Sequence, residues 1–141
     1  MFYLENGKGP IGGITFEIPN KMSVCKKNTN KNKITFFDKE TSIVVCLENK
    51  QGDIPPINSK RIICFNIDSS PAAELSMNGL WGWYIKYKSI SKYHYRAFLK
   101  NTSQNSYYIE MRISVNKKRA SIDEVLSREE IVSFFCSLKA E

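Results

Sequence analysis

The sequence lacks any apolar segment long enough to cross a membrane and any recognisable secretory signal. Its purely apolar runs extend over only a few residues, such as residues 43–47, whereas a membrane-spanning helix needs roughly 20. The first residues, Met-Phe-Tyr-Leu-Glu-Asn-Gly, have neither the basic segment nor the continuous apolar stretch of a signal peptide. We therefore expect a cytoplasmic protein that does not act at a membrane.

Histidine and cysteine are too few and too widely spaced to predict a metal site. The sequence has one histidine, and no two of its cysteines form a C-x-x-C pair. Each cysteine lies in an apolar segment, where a free thiol behaves as a small hydrophobic group. The cysteines are Cys25, Cys46, Cys64 and Cys136. We expect structural thiols, no metal and no other cofactor.

Residue patterns that support catalysis are also scarce. His94 lies among basic residues, whose like charge would lower its pKa. Asp38 and Glu40 flank a turn, and the carboxylates at positions 129–130 begin a helix whose dipole they complement. The glycine-rich residues 7–13 precede a strand, which indicates a flexible entry to that strand and not a phosphate-binding loop. We expect no enzyme, unless a deep pocket places Asp38, Glu40 or His94 beside a buried polar group.

The chain does contain enough apolar residues for one hydrophobic core. It has 141 residues, of which 42% are hydrophobic and 12% aromatic. A chain of this length buries about two-thirds of its unfolded surface on folding, and this composition is unlike that of a disordered protein. Because no internal repeat and no boundary is visible, residues 1–141 are expected to form a single domain.

Apolar and polar residues alternate in most of the segments predicted to be β-strands, whereas the continuous apolar run at residues 43–47 predicts a central strand that is covered on both faces. The predicted strands are residues 14–18, 34–37, 42–48, 81–88, 92–100 and 107–115. The last three predict a meander, because short loops separate them and their side chains alternate with a period of two. The apolar run at residues 61–67 is compatible with either a strand or a helix.

Helix signals are concentrated towards the C-terminus. Apolar residues at positions 131, 134, 135 and 138 have the spacing of an amphipathic helix. Ser121 with Glu124, and Ser127 with Glu130, match the capping-box pattern. We expect two helical segments with a break near Ser127, because one continuous helix would bring Glu129 and Glu130 towards the buried face.

A further short helix is predicted at residues 70–79. Ser70 is suited to the N-cap position, and Pro71 is suited to the first helical position. Gly79 would end this helix in the left-handed conformation.

These segments predict an α+β fold: a mainly antiparallel sheet with a C-terminal amphipathic helix and a short additional helix packed on it. The opening strand, Gly13-Ile-Thr-Phe-Glu-Ile-Pro19, and the closing pattern, Tyr107-Tyr-Ile-Glu-Met followed by the apolar residues of 131–138, resemble those of PsbP-like domains. Such domains begin with an F-x-[IL]-P strand and end with a strand and a helix. The resemblance implies an α/β/α sandwich and a non-catalytic role as a protein-binding subunit, chaperone or adaptor.

Positive charge is concentrated in the predicted meander. The chain has a net charge of +7, and Glu110 is the only acidic residue within residues 86–119. The alternation predicts a basic face, with most aromatic residues, Trp81, Trp83 and Tyr87 among them, on the opposite face. The residues predicted to bind a partner through the basic face are Lys86, Lys88, Lys92, His94, Arg96, Arg112, Tyr84, Phe98 and Tyr108.

Three interpretations of the basic face are open: a surface for an acidic protein partner, a nucleic-acid-binding surface, or a face that is merely solvated. A small chain rich in lysine and asparagine and without catalytic motifs also resembles bacterial immunity proteins, which implies a toxin or effector as the acidic partner. The prediction is a non-enzymatic protein-binding module. Nucleic-acid binding is the alternative, disfavoured because most aromatic rings would be on the wrong face to stack on bases.

Overall fold

Strands account for most of the regular structure in the computed structural model, which describes residues 8–11, 13–30, 32–56, 72–101 and 107–140. The strands are β1 (Lys8–Ile11), β2 (Ile14–Glu17), β3 (Ser23–Val24), β4 (Lys33–Asp38), β5 (Ile43–Gln51), β6 (Ala73–Met77), β7 (Leu80–Lys88), β8 (Lys92–Asn101), β9 (Tyr107–Asn116) and β10 (Lys139–Ala140). The helices are α1 (Ile122–Ser127) and α2 (Glu129–Ser137), and Lys26–Asn28 form a single 3-10 turn.

The main sheet has seven strands in the order β3-β4-β5-β9-β8-β7-β6. Every neighbouring pair is antiparallel, so the sheet consists of two meanders, β3–β5 and β6–β9, joined where β5 pairs with β9. The predicted meander of residues 81–115 corresponds to β7, β8 and β9. The antiparallel sheet is therefore confirmed.

A second, three-stranded sheet has the order β1-β2-β10. Strand β1 pairs with β2 over Lys8–Ile11, so the prediction of a flexible entry is wrong for these residues. The C-terminal strand β10 also pairs with β2, which places the end of α2 close to β2.

One face of the main sheet is covered by both helices, and we call it the helical face. Alternate residues of β9, from Ile109 to Val115, are buried in the same core as Ile131 and Leu138 of the helical region. Phe134 of α2 contacts Phe36 of β4, with 5.3 Å between ring centroids. The α+β fold and the amphipathic C-terminal helix are thus confirmed. In the described ranges, neither helix is long and apolar enough to cross a bilayer.

The predicted break between the helices is also confirmed. Helix α1 ends at Ser127 and α2 begins at Glu129, with extended backbone at Arg128. The first capping box forms, because the Ser121 hydroxyl accepts from the Glu124 amide while the Glu124 carboxylate accepts from the Ser121 amide. The second capping box does not form. Instead, the Ser127 hydroxyl donates to the Glu124 carbonyl oxygen, and Arg128 takes the N-cap position of α2.

The short helix predicted at residues 70–79 is wrong over its described part. Residues 73–77 form strand β6, with Ala73 and Leu75 towards the helical face and Glu74 towards the other. Asn78 and Gly79 both have positive φ and make the tight turn into β7, as Asn-Gly pairs do in type I′ hairpins. A period-two pattern ending in Asn-Gly therefore outweighs the helix signals. The apolar run at residues 61–67 lies outside the described residues.

Candidate functional site

The strand register identifies the residues on the face of the main sheet that points away from the helices, which we call the distal face. On the central strands, this face comprises Val44, Cys46, Glu48 and Lys50 of β5, Trp81, Trp83, Ile85 and Tyr87 of β7, Lys92, His94, Arg96, Phe98 and Lys100 of β8, and Tyr108, Glu110, Arg112 and Ser114 of β9. The distal face combines basic, acidic and aromatic side chains.

Three residues of the predicted basic face lie on the opposite side of the sheet. Paired residues of neighbouring strands lie on the same face of a sheet. Lys88 pairs with Tyr93, so the even-numbered residues of β7 share a face with the odd-numbered residues of β8. Lys86, Lys88 and Tyr84 therefore lie on the helical face, and their placement beside Arg96 is wrong. Lys86 forms an ion pair of 2.7 Å with Asp123 of α1, and Tyr84 stacks on Tyr95.

The same register moves aromatic residues onto the face that bears the arginines. Trp81, Trp83 and Tyr87 lie on the distal face, contrary to the prediction. Trp83 is buried against Phe98, with ring centroids 4.7 Å apart, and its indole N–H donates to the Pro55 carbonyl oxygen at 2.8 Å. Trp81 is 47% exposed. Aromatic and cationic side chains are therefore neighbours on this sheet.

Two of the predicted partner-binding aromatics are buried within the distal face. Phe98 and Tyr108 form a small apolar cluster with Trp83 and Ile85. The Arg96 guanidinium lies over the Phe98 ring, 5.1 Å from its centroid. Phe98 thus lies beneath the Arg96 guanidinium, and both Phe98 and Tyr108 are too buried to act as protruding contacts.

The centre of the distal face is a network of ion pairs that we call the arginine cluster. Its members are Arg96, Arg112, Glu110 and Glu48. Arg96 and Arg112 are directly opposite each other on β8 and β9. Glu110 contacts both, with its Oε1 3.1 Å from Arg96 Nη2 and its Oε2 3.3 Å from Arg112 Nε. Arg112 Nη2 also lies 3.3 Å from Glu48 Oε1.

Burial explains how this cluster is held together. Glu110 is only 3% exposed, and a buried carboxylate needs charged or hydrogen-bonded partners. Two cations at directly opposite cross-strand positions would repel each other without it. Burial alone would lower the pKa of Arg112, but Glu110, Cys46 and Glu48 together raise it. The carboxylates of the cluster therefore favour the charged form of Arg112, and Glu110 pairs with both arginine side chains.

Both arginine side chains are still partly exposed. The side chains of Arg96 and Arg112 are 26% and 42% exposed, whereas that of Glu110 is 4% exposed. An arginine presents N–H groups in a planar fork that matches a carboxylate or phosphate. The cluster can thus bind an anionic group from outside while Glu110 holds the arginines from within.

His94 lies beside the arginine cluster and is not set up as a general base. Its ring stacks on Tyr87 at 4.6 Å between centroids, and its Nε2 lies 3.0 Å from the Ser89 hydroxyl. Burial, followed by the charges of Lys92 and Arg112, lowers the pKa of His94. The predicted direction is confirmed, although burial and not repulsion is the main cause.

The other residues considered for catalysis do not join this site. Asp38 accepts a hydrogen bond from the Glu40 amide at 3.0 Å, which is a local turn interaction. Within the described ranges, no group of three or more histidine, cysteine, aspartate or glutamate side chains could hold a metal ion. Of the described cysteines, Cys46 is buried on the distal face and Cys136 is exposed.

Sequence reasoning missed Glu110 and Glu48 as parts of the site. Glu110 carried a usable signal, because it is the single carboxylate within residues 86–119 and lies between apolar residues of a strand. A charged residue in such a position is expected to be paired. Glu48 carried no such signal, since only the pairing of β5 with β9 brings it to Arg112.

Comparisons with known proteins bear on the fold alone. No protein family and no curated protein matches the chain. Among solved structures, the chain is similar to a protein from Bacteroides thetaiotaomicron, with a TM-score of 0.55 and 12% sequence identity. The match covers 98% of this chain and 49% of that protein, so this chain spans about half the length of its neighbour. The resemblance to PsbP-like domains stays a prediction.

Proposed function

We propose that this chain is a non-enzymatic protein-binding module that recognises an acidic protein surface through its arginine cluster. The observation that carries this proposal is the pair of partly exposed arginine side chains held side by side by the buried Glu110. Roles as an immunity protein or as an adaptor would both rest on this contact. In the first role the partner is a toxin or effector, and in the second it is a protein to be escorted.

The rigidity of the cluster supports recognition of carboxylates. Arg96 and Arg112 lie on central strands of the sheet, and both are already restrained by ion pairs. Binding a partner therefore costs less side-chain entropy than ordering two free arginines would. Forked, charge-assisted hydrogen bonds also discriminate better than a lone ammonium group.

The surroundings of the cluster indicate an acidic partner of limited charge. Exposed Lys92 adds positive charge on β8, and this charge would speed the approach of an acidic surface. Glu48 and Glu110 offset part of the positive charge, so the distal face is less basic than the sequence predicted. We therefore expect a few well-placed arginine contacts, and not a diffuse electrostatic attraction, to dominate the affinity.

The test is affinity capture followed by reconstitution with the captured protein. Wild-type protein is immobilised and exposed to lysate of the source organism, with and without nuclease treatment, beside the double variant Arg96→Lys/Arg112→Lys. Lysine keeps the charge that Glu110 needs but lacks the planar fork. The matched control is Arg119→Lys/Arg128→Lys, which makes the same change outside the arginine cluster.

We expect one acidic protein to be retained by wild type and control and to be lost by the cluster variant. With the purified partner, calorimetry should give an affinity at least about tenfold weaker for the cluster variant. Equal binding by all three proteins would refute the proposed role of the cluster. Capture that disappears on nuclease treatment would refute protein binding in favour of nucleic acid.

Nucleic-acid binding is the second candidate because Trp81 and Tyr87 share the distal face with the arginines. Exposed aromatic rings beside cations are what a single-strand-binding surface requires. This candidate predicts that a fluorescent oligo-dT strand binds more weakly as salt rises from 50 to 200 mM. It also predicts weaker binding by Trp81→Ala, whereas the protein-binding proposal predicts no oligonucleotide binding at low micromolar concentrations.

A further inference from the structure

A groove of about 550 Å³ lies at the β6 side of the distal face, away from the arginine cluster. Residues 53–56 form one wall of the groove, and β6 and β7 form its base. We call it the tryptophan groove and define it by Asp53, Glu74, Ser76, Trp81, Trp83 and Lys100. Its size lies within the range of about 300–1,000 Å³ that is usual for small-molecule sites.

Trp81 is the most informative residue of the tryptophan groove. It is 47% exposed, although its neighbour Trp83, two residues along the same strand, is buried. Leaving a large indole in water forgoes the stabilisation that burial would give. The register places Trp81 between Ser76 of β6 and Lys100 of β8. The sheet therefore presents a flat apolar surface with polar groups on both sides.

Two contacts tie the wall of the groove to the sheet in the absence of a ligand. The Trp83 indole donates to the Pro55 carbonyl oxygen at 2.8 Å, which ties the wall to the base. Lys100 Nζ lies 3.1 Å from Asp53 Oδ1, which ties the same wall to β8. Two prolines in the wall, Pro55 and Pro56, restrict its backbone further. A preformed groove loses little entropy on binding.

The polar groups of the groove favour a neutral ligand that both donates and accepts hydrogen bonds. Lys100 is already paired with Asp53, so an anion would have to compete with that carboxylate. Glu74 adds a second carboxylate, which disfavours an anion further, while Lys100 disfavours a cation. Carboxylate oxygens accept from hydroxyl groups, and the Ser76 hydroxyl can donate or accept.

We propose that the tryptophan groove binds a neutral saccharide. The polarised C–H groups on one face of a pyranose ring are complementary to the negative face of the Trp81 indole. The ring hydroxyls would bond to Asp53, Glu74 and Ser76 at the edges of the groove. This site is separate from the arginine cluster and does not depend on the proposed protein binding.

The test uses an immobilised array of neutral and acidic glycans, followed by tryptophan-fluorescence titration with the neutral oligosaccharides that bind. Three proteins are compared: wild type, Trp81→Ala, and the control Tyr107→Ala, which removes another exposed aromatic side chain. Glu74→Gln is a second variant of nearly identical shape, so the test does not depend on Trp81→Ala alone. Urea denaturation of each variant checks that it is folded.

We expect saturable binding of at least one neutral glycan, with an affinity that changes less than twofold between 50 and 500 mM NaCl. Trp81→Ala should weaken that affinity at least about tenfold and Glu74→Gln at least about threefold, whereas Tyr107→Ala should leave it unchanged. The proposal is overturned if the array shows no neutral glycan bound or only acidic glycans bound. It is equally overturned if both groove variants bind as wild type does.

Discussion

Replacing Glu110 by glutamine should destabilise the protein more than any other single substitution that neutralises a charge on the distal face. Glu110 is only 3% exposed, and each of its carboxylate oxygens contacts a different arginine. Glutamine keeps the size and part of the hydrogen bonding but removes the negative charge. Arg96 and Arg112 would then oppose each other across β8 and β9 without the carboxylate between them.

The size of the effect follows from the burial of the three side chains. At an effective dielectric constant of about 20, charges about 4 Å apart attract by about 4 kcal/mol before desolvation is counted. Removing one partner from a fully buried pair costs about 3–5 kcal/mol. Because the side chains of Arg96 and Arg112 are 26% and 42% exposed, water screens part of the lost attraction. We expect the free energy of unfolding to fall by about 2–3 kcal/mol.

The assay is urea denaturation of wild type and Glu110→Gln at 50 mM and 500 mM NaCl. The midpoint should fall with an unchanged m-value, and the difference should be smaller at high salt because ions screen the repulsion between the arginines. A midpoint within error of wild type at low salt would refute the reasoning. Glu48→Gln is the matched control, since Glu48 is more exposed and contacts only Arg112 of the two arginines; it should cost less than about 1 kcal/mol.

Three further predictions concern the strands, the helix start and the titration of His94. Gly82→Ala should destabilise the protein by about 3 kcal/mol in urea denaturation, because a Cβ at Gly82 would overlap the Phe98 carbonyl oxygen of the adjacent strand. Ser121→Ala should lower the free energy of unfolding by about 1 kcal/mol, because it removes the hydroxyl that accepts a hydrogen bond from the Glu124 amide. Thermal melting followed by the helical circular dichroism signal should show a lower midpoint. The pKa of His94 is lower in the folded state, so the unfolded chain binds the proton first. Stability should therefore fall as pH drops below about 6.5, and His94→Gln should flatten that part of the stability profile.

The fold could largely be predicted because its strands and helices have strong local patterns. The alternation in residues 107–115 and the apolar spacing of residues 131–138 describe β9 and α2 closely. The break at Arg128 was also predictable, because the apolar positions before and after it do not share one helical phase. Strand β10 was not predictable, since it has only two residues, Lys139 and Ala140, and depends on pairing with β2.

The candidate site was harder to predict because alternation gives the faces of one strand but not the register between strands. Even-numbered residues of β8 pair with even-numbered residues of β9, so His94 and Arg112 share a face as predicted. Odd-numbered residues of β7 instead pair with even-numbered residues of β8. Lys86 therefore lies on the helical face and Trp81 on the distal face, opposite to the faces predicted for them. A turn that differs by one residue would give the opposite result, and residues 89–92 alone do not reveal its geometry.

The arginine cluster is better explained by recognition than by stability. A buried carboxylate between two arginines pays a large desolvation cost, and apolar residues of similar size often replace such clusters with no loss of stability. Replacing Arg96, Glu110 and Arg112 together by Met, Leu and Met should therefore leave the free energy of unfolding near that of wild type, although Glu110→Gln alone lowers it. Under the proposal above, the two guanidinium groups serve to contact an acidic partner outside the sheet and are not needed for folding. Loss of partner binding in an apolar variant that keeps wild-type stability would separate recognition from folding.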